Sequence, residues 1–458
     1  MLTYDLAQRG PLPLYEALYQ SIRGDILSGT LERGTRLPSK RALAEHLGVS
    51  VITVENAYQQ LEAEGYLAAR PRRGFFVAEV QQAEKQEAPA VALSEPEQPQ
   101  WRLDLKQTAV DISRFPVAAW VRLTRQVLSE GGEALLRPVP HQGLPALREA
   151  IARDLWERKG MGVDPAQIVV GAGAEYLYLL LAQLLGREAT LAVEDPGYPK
   201  IRQVYSKWGV PCVPVTLDRE GVPPEALRAA GARAVHLSPS HHYPTGLVTP
   251  IGRRQALLNW ARETDGIVIE DDYDSEFRFS GKPLPTLQSI DREGRVIYMN
   301  TFSQTISPSM RVGYMVLPPR LLERYRRELD FYACTVPALD QHVLARFLDR
   351  GYYGQHIARM RKEYRTLRGA VLEQFRQLEQ AELVEEGAGL HFLLKLHTEL
   401  GDGELADRAA AVGVRLGFLS QYAAREPERY AHTLIVNYAG LGAGQAAEAV
   451  GVLRGMLA

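Results

Sequence analysis

The stretch Asn300-Thr301-Phe302-Ser303-Gln304-Thr305-Ile306-Ser307-Pro308-Ser309-Met310-Arg311 gathers hydroxyls, a carboxamide and a guanidinium between two apolar runs, Val296 to Met299 and Val312 to Leu317. Polar groups crowding a turn between buried strands are placed to meet a ligand. The carboxamide of Gln304 is neither a nucleophilic amine nor a base, so this turn does not attack a carbonyl by itself. Four further clusters bear on chemistry. Gly171-Ala172-Gly173 opens a helix at Ala174 and Glu175, and unpaired N–H groups at a helix start suit an anion, although a glycine turn there is common. Glu194-Asp195-Pro196-Gly197-Tyr198 ends a strand with an aromatic that fits a ligand ring or a packed surface equally. Ser238 to Gly246 carries Tyr243 and the pair His241-His242; adjacent side chains on an extended segment point apart, so no metal site is expected. Ile269 to Arg278 puts Asp271 and Tyr273 at a strand end, a carboxylate run that suits Mg²⁺ as well, yet no phosphate-transfer motif accompanies it.

These clusters need a frame. From Trp101 onward, apolar runs at Ile168–Val170, Thr190–Val193, Cys212–Leu217, Ala234–Leu237, Ile267–Glu270, Val296–Met299 and Val312–Leu317 alternate with amphipathic segments such as Ala174–Leu185 and Arg253–Thr264. That alternation predicts an α/β body with a mostly parallel sheet covered on both faces, whose ligands sit at the carboxyl ends of the strands. The tail from Pro319 predicts helices with strands at His391–Leu396 and Leu434–Tyr438, a smaller subdomain.

The first eighty residues differ. Leu14, Leu18, Ile22 and Ile26 recur at helical spacing. Ser39 and Ser50 cap two further helices joined by the tight turn His46-Leu47-Gly48-Val49-Ser50, and a hairpin follows with the basic tip Pro71-Arg72-Arg73-Gly74. Two helices on such a turn meet the requirement of a helix-turn-helix. Residues 1–78 hold nine basic and eight acidic side chains, a net of +1, but the basic ones gather at 33–41 and 70–73. Residues 79–100, rich in Gln, Glu and Pro, predict a flexible linker.

Bulk properties narrow the classes. The 458 residues suit two or three domains, and 53 basic against 55 acidic residues give no global field toward nucleic acid or membrane, so any such binding is local. Cys212 and Cys334 stand far apart with no ligand cluster near either, which fits a reducing compartment and no metal. The start of the chain lacks a basic-then-apolar leader, and the longest apolar run, Tyr176 to Leu185, is too short to span a bilayer. A soluble, cytoplasmic protein is expected.

Two resemblances sharpen this reading. Arg36-Leu37-Pro38-Ser39-Lys40-Arg41, Leu47-Gly48-Val49-Ser50, Leu61-Glu62-Ala63-Glu64-Gly65-Tyr66-Leu67 and Arg72-Arg73-Gly74-Phe75-Phe76-Val77 keep the order and spacing of the winged helix-turn-helix of GntR-type regulators. The resemblance implies phosphate contacts from Arg36, Lys40 and Arg41, Ser50 and Thr53 at the major-groove end of the recognition helix, and Arg72 and Arg73 in the minor groove; Val51 stands where the family often has a basic residue. The opening stretch resembles the signature of the fold type I, aspartate-aminotransferase-like proteins that use pyridoxal 5'-phosphate. Thr301, Ser303 and Arg311 would hold the phosphate, Gln304 occupies the Schiff-base lysine position, Tyr198 would stack on the ring, and Asp271 would pair with the pyridine nitrogen. Tyr273 would bond the ring hydroxyl, Tyr243 replaces the Asn of that family, and Ile435 stands where an Arg would clamp a substrate carboxylate.

Together the chain resembles the MocR group: a GntR-type head (residues 1–78), a linker (79–100) and an aminotransferase-like body (101–458), with a large subdomain to about 318 and a small one from about 319. The resemblance implies a homodimer that binds promoter DNA and has a body for pyridoxal 5'-phosphate, and the departures at Gln304 and Ile435 lead to the expectation that it senses that compound, or an amine already joined to it, without a lysine bond and without turnover. Other readings are an active aminotransferase using Lys200 or Lys207, a regulator in which Gln304 is an introduced replacement for lysine, and a pocket that no longer takes the cofactor.

Overall fold

The computed structural model describes residues 2–6, 11–80, 99–107, 112–279, 284–384 and 389–457. The chain divides into two compact units, residues 1–98 and 99–458. Residues 81–98 of the expected linker lie outside the described residues.

The first unit builds three helices and a hairpin. Helix α1 (Leu14–Leu27) buries Leu18, Ile22 and Ile26 at helical spacing. Helix α2 (Lys40–Leu47) starts where the Ser39 side chain accepts the Ala42 N–H, and it stops at Gly48, whose φ of +65° lies in the left-handed region that favours glycine. Helix α3 (Val51–Ala63) starts where Ser50 accepts the Thr53 N–H, and it buries Val54, Ala57, Tyr58 and Leu61. Strands β1 (Leu67–Arg70) and β2 (Gly74–Val77) pair antiparallel, Leu67 opposite Val77 and Arg70 opposite Gly74, which places Arg72 and Arg73 in the turn. One apolar cluster draws on all five elements.

The second unit is organised by a seven-stranded sheet. Its strands are β3 (Ile168–Gly171), β4 (Leu191–Asp195), β5 (Cys212–Thr216), β6 (Ala234–Leu237), β7 (Ile267–Asp271), β8 (Val296–Thr301) and β9 (Gly313–Val316), in the order β3-β9-β8-β7-β6-β4-β5. Strands β4 to β8 run parallel, and β9 runs antiparallel to both neighbours. The core strands are buried on both faces, which is why they read as continuous apolar runs. Helices α4 (Ala174–Leu185), α5 (Pro199–Lys207) and α6 (Ile251–Thr264) cover them. On α6, Leu257, Trp260 and Ala261 share an apolar cluster with Val235 and Val268, and a fully buried side chain of that size contributes about 1.5–3 kcal/mol. The register sets Gly171 opposite Gly313, Gly313 opposite Thr301, and Asp271 opposite Met299, so the ends of four strands meet at one edge.

A second core forms a smaller subdomain around a three-stranded antiparallel sheet, Ala381–Val384, His391–Leu396 and Thr433–Asn437. Its sequence limits differ from the expected start near 319. The helices Pro319–Glu328 and Ala338–Asp349 bury Leu321, Leu322, Val343, Leu344 and Phe347 in clusters of the large sheet, and the small core instead takes Leu103 and Leu105 from the start of the unit. Burial partners, not chain order, fix the boundary. Among the described residues no helix is long and apolar enough to cross a membrane.

Candidate functional site

The strand ends carry the site. Strand β3 runs through Gly171 and Gly173 into α4; Gly173 has φ +86°, and a Cβ there would meet the Arg311 guanidinium at 2.7 Å. Arg311 therefore lies across the start of α4, where unpaired N–H groups and the helix dipole favour negative charge. The anion there in this structure belongs to the protein. Glu175 accepts from Arg311 Nη2 at 2.6 Å and from Lys200 Nζ at 3.0 Å. Burial by itself raises its pKa, but the hydrogen bonds from Arg311 and Lys200 prevail and hold it at about 2.

Asp271 ends β7 and is buried. Its Oδ2 accepts the Tyr178 hydroxyl at 2.6 Å and lies 3.3 Å from His236 Nε2, while His236 Nδ1 lies 3.2 Å from the Tyr205 hydroxyl. In that chain Tyr205 donates to Nδ1, Nε2–H donates to the carboxylate, and no donor among the described residues reaches Oδ1. Burial, followed by the Asp271 charge, raises the Tyr178 phenol well above its ordinary value, so it stays a donor. Neither Tyr178 nor His236 was among the expected site residues. His236 inside the apolar strand Ala234–Leu237 was the available signal, because a buried polar side chain demands partners.

Between these ends lies a cavity of about 430 Å³, within the range of small-molecule sites. Ala174, Glu175, Tyr198, Tyr243, Asp271, Tyr273, Thr301, Ser303, Gln304 and Arg311 all line it. The side chains of Ser303 and Gln304 are half-buried and make no hydrogen bond to another described residue. Tyr198 is 40% exposed and meets Tyr243 edge-on at 6.1 Å, and the Tyr243 hydroxyl lies 3.2 Å from that of Tyr422. The Tyr273 hydroxyl lies 3.1 Å from His241 Nδ1, which also faces Asp274 at 2.9 Å. Ile435 is buried in an apolar cluster with Leu393 and Leu419, packed against Tyr243 and Tyr422, so no cation stands at that position. Lys200 sits at the Arg311 end, bound to Glu175, and among the described residues no lysine lines the cavity.

Glu194, also unforeseen, lines the cavity from β4. Its side chain is 8% exposed, accepts the Ser238 N–H at 2.9 Å and faces His242 Nε2 at 3.4 Å. Burial pushes its carboxyl up to about 8 and pushes His242 down to about 3. At neutral pH the pair is an uncharged acid beside an uncharged imidazole, and the acid has a proton to donate. The rim is closed by the small subdomain. Asp195 accepts the N–H groups of Ala424 at 2.6 Å and Arg425 at 3.0 Å, and the Gly197 N–H donates to Tyr422 O at 3.0 Å. Gly197 tolerates no Cβ, which would lie 2.1 Å from Glu194 O.

In the first unit, Arg36, Arg41, Arg72 and Arg73 are exposed, and none has a side-chain partner among the described residues. Arg72 takes φ +63° in the wing turn. Lys40 differs: its ammonium bonds Glu55 on α3 at 2.7 Å and is 28% exposed. The hydroxyls of Ser50 and Thr53 lie 2.8 Å apart, and that of Ser50 caps α3 by accepting the Thr53 N–H at 3.1 Å.

Comparison with known proteins agrees with both halves. The family described as "Bacterial regulatory proteins, gntR family" matches residues 14–77. The chain is 37% identical to an uncharacterized HTH-type transcriptional regulator, YdeL, of Bacillus subtilis over 88% of this chain and 89% of that protein. It is 31% identical to the probable rhizopine catabolism regulatory protein MocR of Rhizobium meliloti over 97% and 93%. It is 34% identical to the pyridoxine biosynthesis transcriptional regulator PdxR of Corynebacterium glutamicum over 84% and 83%. Among solved structures, a kynurenine aminotransferase of Pyrococcus horikoshii in complex with PMP and kynurenine superposes with a TM-score of 0.69 at 25% identity, over 78% of this chain and 90% of that one.

Proposed function

As the chain belongs to the MocR group of GntR-type transcriptional regulators, a helix-turn-helix head joined to a fold type I aminotransferase-like body, we propose that the body is a receptor for pyridoxal 5'-phosphate or an amine joined to it. Occupancy would then alter how the heads engage promoter DNA. The observation that carries this reading is one cavity lined by Arg311 and the helix start it crosses, by a buried Asp271 with a free oxygen, and by Gln304. The names of two similar proteins, a pyridoxine biosynthesis regulator and an aminotransferase in complex with PMP, point the same way.

The donors fit a flat ring bearing a phosphate. Arg311, the α4 N–H groups, Thr301 and Ser303 would hold the phosphate; Asp271 Oδ1 would accept a ring N–H, and Tyr198 would cover one face of the ring. When bound in an enzyme, that cofactor supplies an electrophilic carbonyl and an electron sink. This chain's residues do something narrower. Asp271, fixed by Tyr178 and His236, orients the ring. The Gln304 carboxamide offers a donor and an acceptor without basicity, so it can hold a group but cannot shuttle a proton. Ile435 offers nothing to a carboxylate. Binding without turnover follows, with occupancy shifting the protein between states to the extent that its affinity for them differs.

The body would act as a homodimer. The helix Val117–Gly131 exposes Val117, Val121 and Leu128, an apolar face that a second copy would cover. The test of the cofactor reading is the absorption spectrum of the full-length protein before and after addition of pyridoxal 5'-phosphate and removal of the free compound. A retained chromophore that fades with Arg311→Ala supports the reading, and a protein that retains none refutes it. Steady conversion of an amino acid to a keto acid would refute the loss of catalysis.

A further inference from the structure

The recognition helix of the head carries a readable base preference. Helix α3 buries Val54, Ala57, Tyr58 and Leu61 and turns Ile52, Asn56 and Gln59 to solvent, at positions i, i+4 and i+7 of one face. Ile52 is 67% exposed and Val51, beside it in the first turn, 42%, although a helix of a folded head has an apolar core available for such side chains. Of the other polar side chains of α3, Glu62 is exposed in the last turn, beyond Gln59, and the rest are already engaged. Thr53 is held by Ser50, Glu55 bonds Lys40 at 2.7 Å, and Gln60 bonds Glu64 at 3.1 Å. Asn56 and Gln59 have no partner among the described residues, and α3 contains no Lys or Arg.

The major groove distinguishes base pairs by their edges. Guanine is read by Arg or Lys, cytosine by a free Asp or Glu, adenine by Asn or Gln, and the thymine methyl by an apolar side chain. The exposed face of α3 has the last two kinds of reader and lacks the first, and its central carboxylate is neutralised by Lys40. Charge for the backbone comes from outside the helix, through Arg36, Arg41, Arg72 and Arg73. From Ile52 to Gln59 the helix rises roughly 10 Å, about three base-pair steps of roughly 3.4 Å. We propose that each half-site of the operator centres on about three consecutive A·T pairs, with a thymine methyl against Ile52 and Val51 and adenines paired with Asn56 and Gln59.

The test is selection of duplexes from a random library by the full-length protein, followed by titration of the enriched duplex. The expected half-site holds A·T at adjacent central positions. Replacing the contacted thymine by uracil removes only its methyl; it is expected to weaken binding several-fold in the parent and to have no effect in Ile52→Ala. Asn56→Ala is expected to reduce the preference at one adenine by roughly five- to a hundredfold, the range of one bidentate pair. Gln59→Arg, on an exposed position that leaves the core untouched, is expected to move the preference at its position from adenine to guanine. Enrichment of G·C at the central positions, no enrichment of any common sequence, or an unchanged affinity on every thymine-to-uracil replacement would each overturn the proposal.

Discussion

Glu175 occupies, with its own carboxylate, the cations that a ligand phosphate would need, so Glu175→Gln is expected to tighten binding of pyridoxal 5'-phosphate. The fall of its pKa from 4.5 to about 2 corresponds to about 3 kcal/mol of interaction with Arg311 and Lys200, at about 1.4 kcal/mol per tenfold change. The carboxylate is 38% exposed, Arg311 49% and Lys200 52%, and solvent screening of such a pair leaves about 1 kcal/mol. That energy is lost each time a phosphate takes Arg311 away, so its removal is expected to improve affinity about fivefold. Equilibrium dialysis of parent and Glu175→Gln against pyridoxal 5'-phosphate and against pyridoxal, which lacks the phosphate, measures the effect. The gain should appear for the phosphate ester, be absent for pyridoxal, and shrink at high salt. Equal affinities of the two proteins for the ester, or an equal gain for pyridoxal, would refute the competition.

Gln304→Lys restores an amine to the turn and is expected to yield a cofactor adduct that survives denaturation after borohydride reduction, whereas the parent yields none; failure to trap it would mean that this turn does not face the carbonyl. The folded pKa of Glu194, about 8, lies above its ordinary 4.5, so its contribution to stability is complete below about 4.5 and is lost as pH climbs through about 8. Melting of the parent should therefore fall between pH 5 and 9 more steeply than that of Glu194→Gln, and parallel curves would contradict this. Asp195→Ala leaves two backbone N–H groups of exposed residues to water in place of their acceptor, and faster hydrogen exchange at Ala424 and Arg425 with intact protection of the central strands is the expected result. Unchanged exchange there would remove Asp195 from that role.

The strands of the body were legible because a strand buried on both faces has no choice but to be apolar, and the head because caps and turns such as Ser39, Gly48 and Ser50 act locally. What escaped depends on contacts between distant residues. The sequence puts Glu175 and Arg311 at one anion site, but nothing in their spacing of 136 positions says that they neutralise each other. Tyr178 and His236 look like core residues until Asp271 stands beside them. The helix Ala338–Asp349 has an apolar face that serves either core, and only its neighbours assign it to the large one. On α3, the reading from family resemblance reached Ser50 and Thr53; Asn56 and Gln59 emerge once the structure shows which polar groups already have partners.

The joint between the two subdomains has a consequence for how such a receptor changes its ligand. Asp195 grips the peptide N–H groups of residues 424 and 425, and Gly197 grips the peptide oxygen of Tyr422, so three bonds across the rim involve no side chain from the small subdomain. Gln421, Tyr422, Ala423 and Ala424 nevertheless face the cavity. Side chains in this segment are therefore free to be exchanged over generations, retuning what the cavity accepts, while the fastening stays as strong as before. Asp195 and Gly197 have no such latitude.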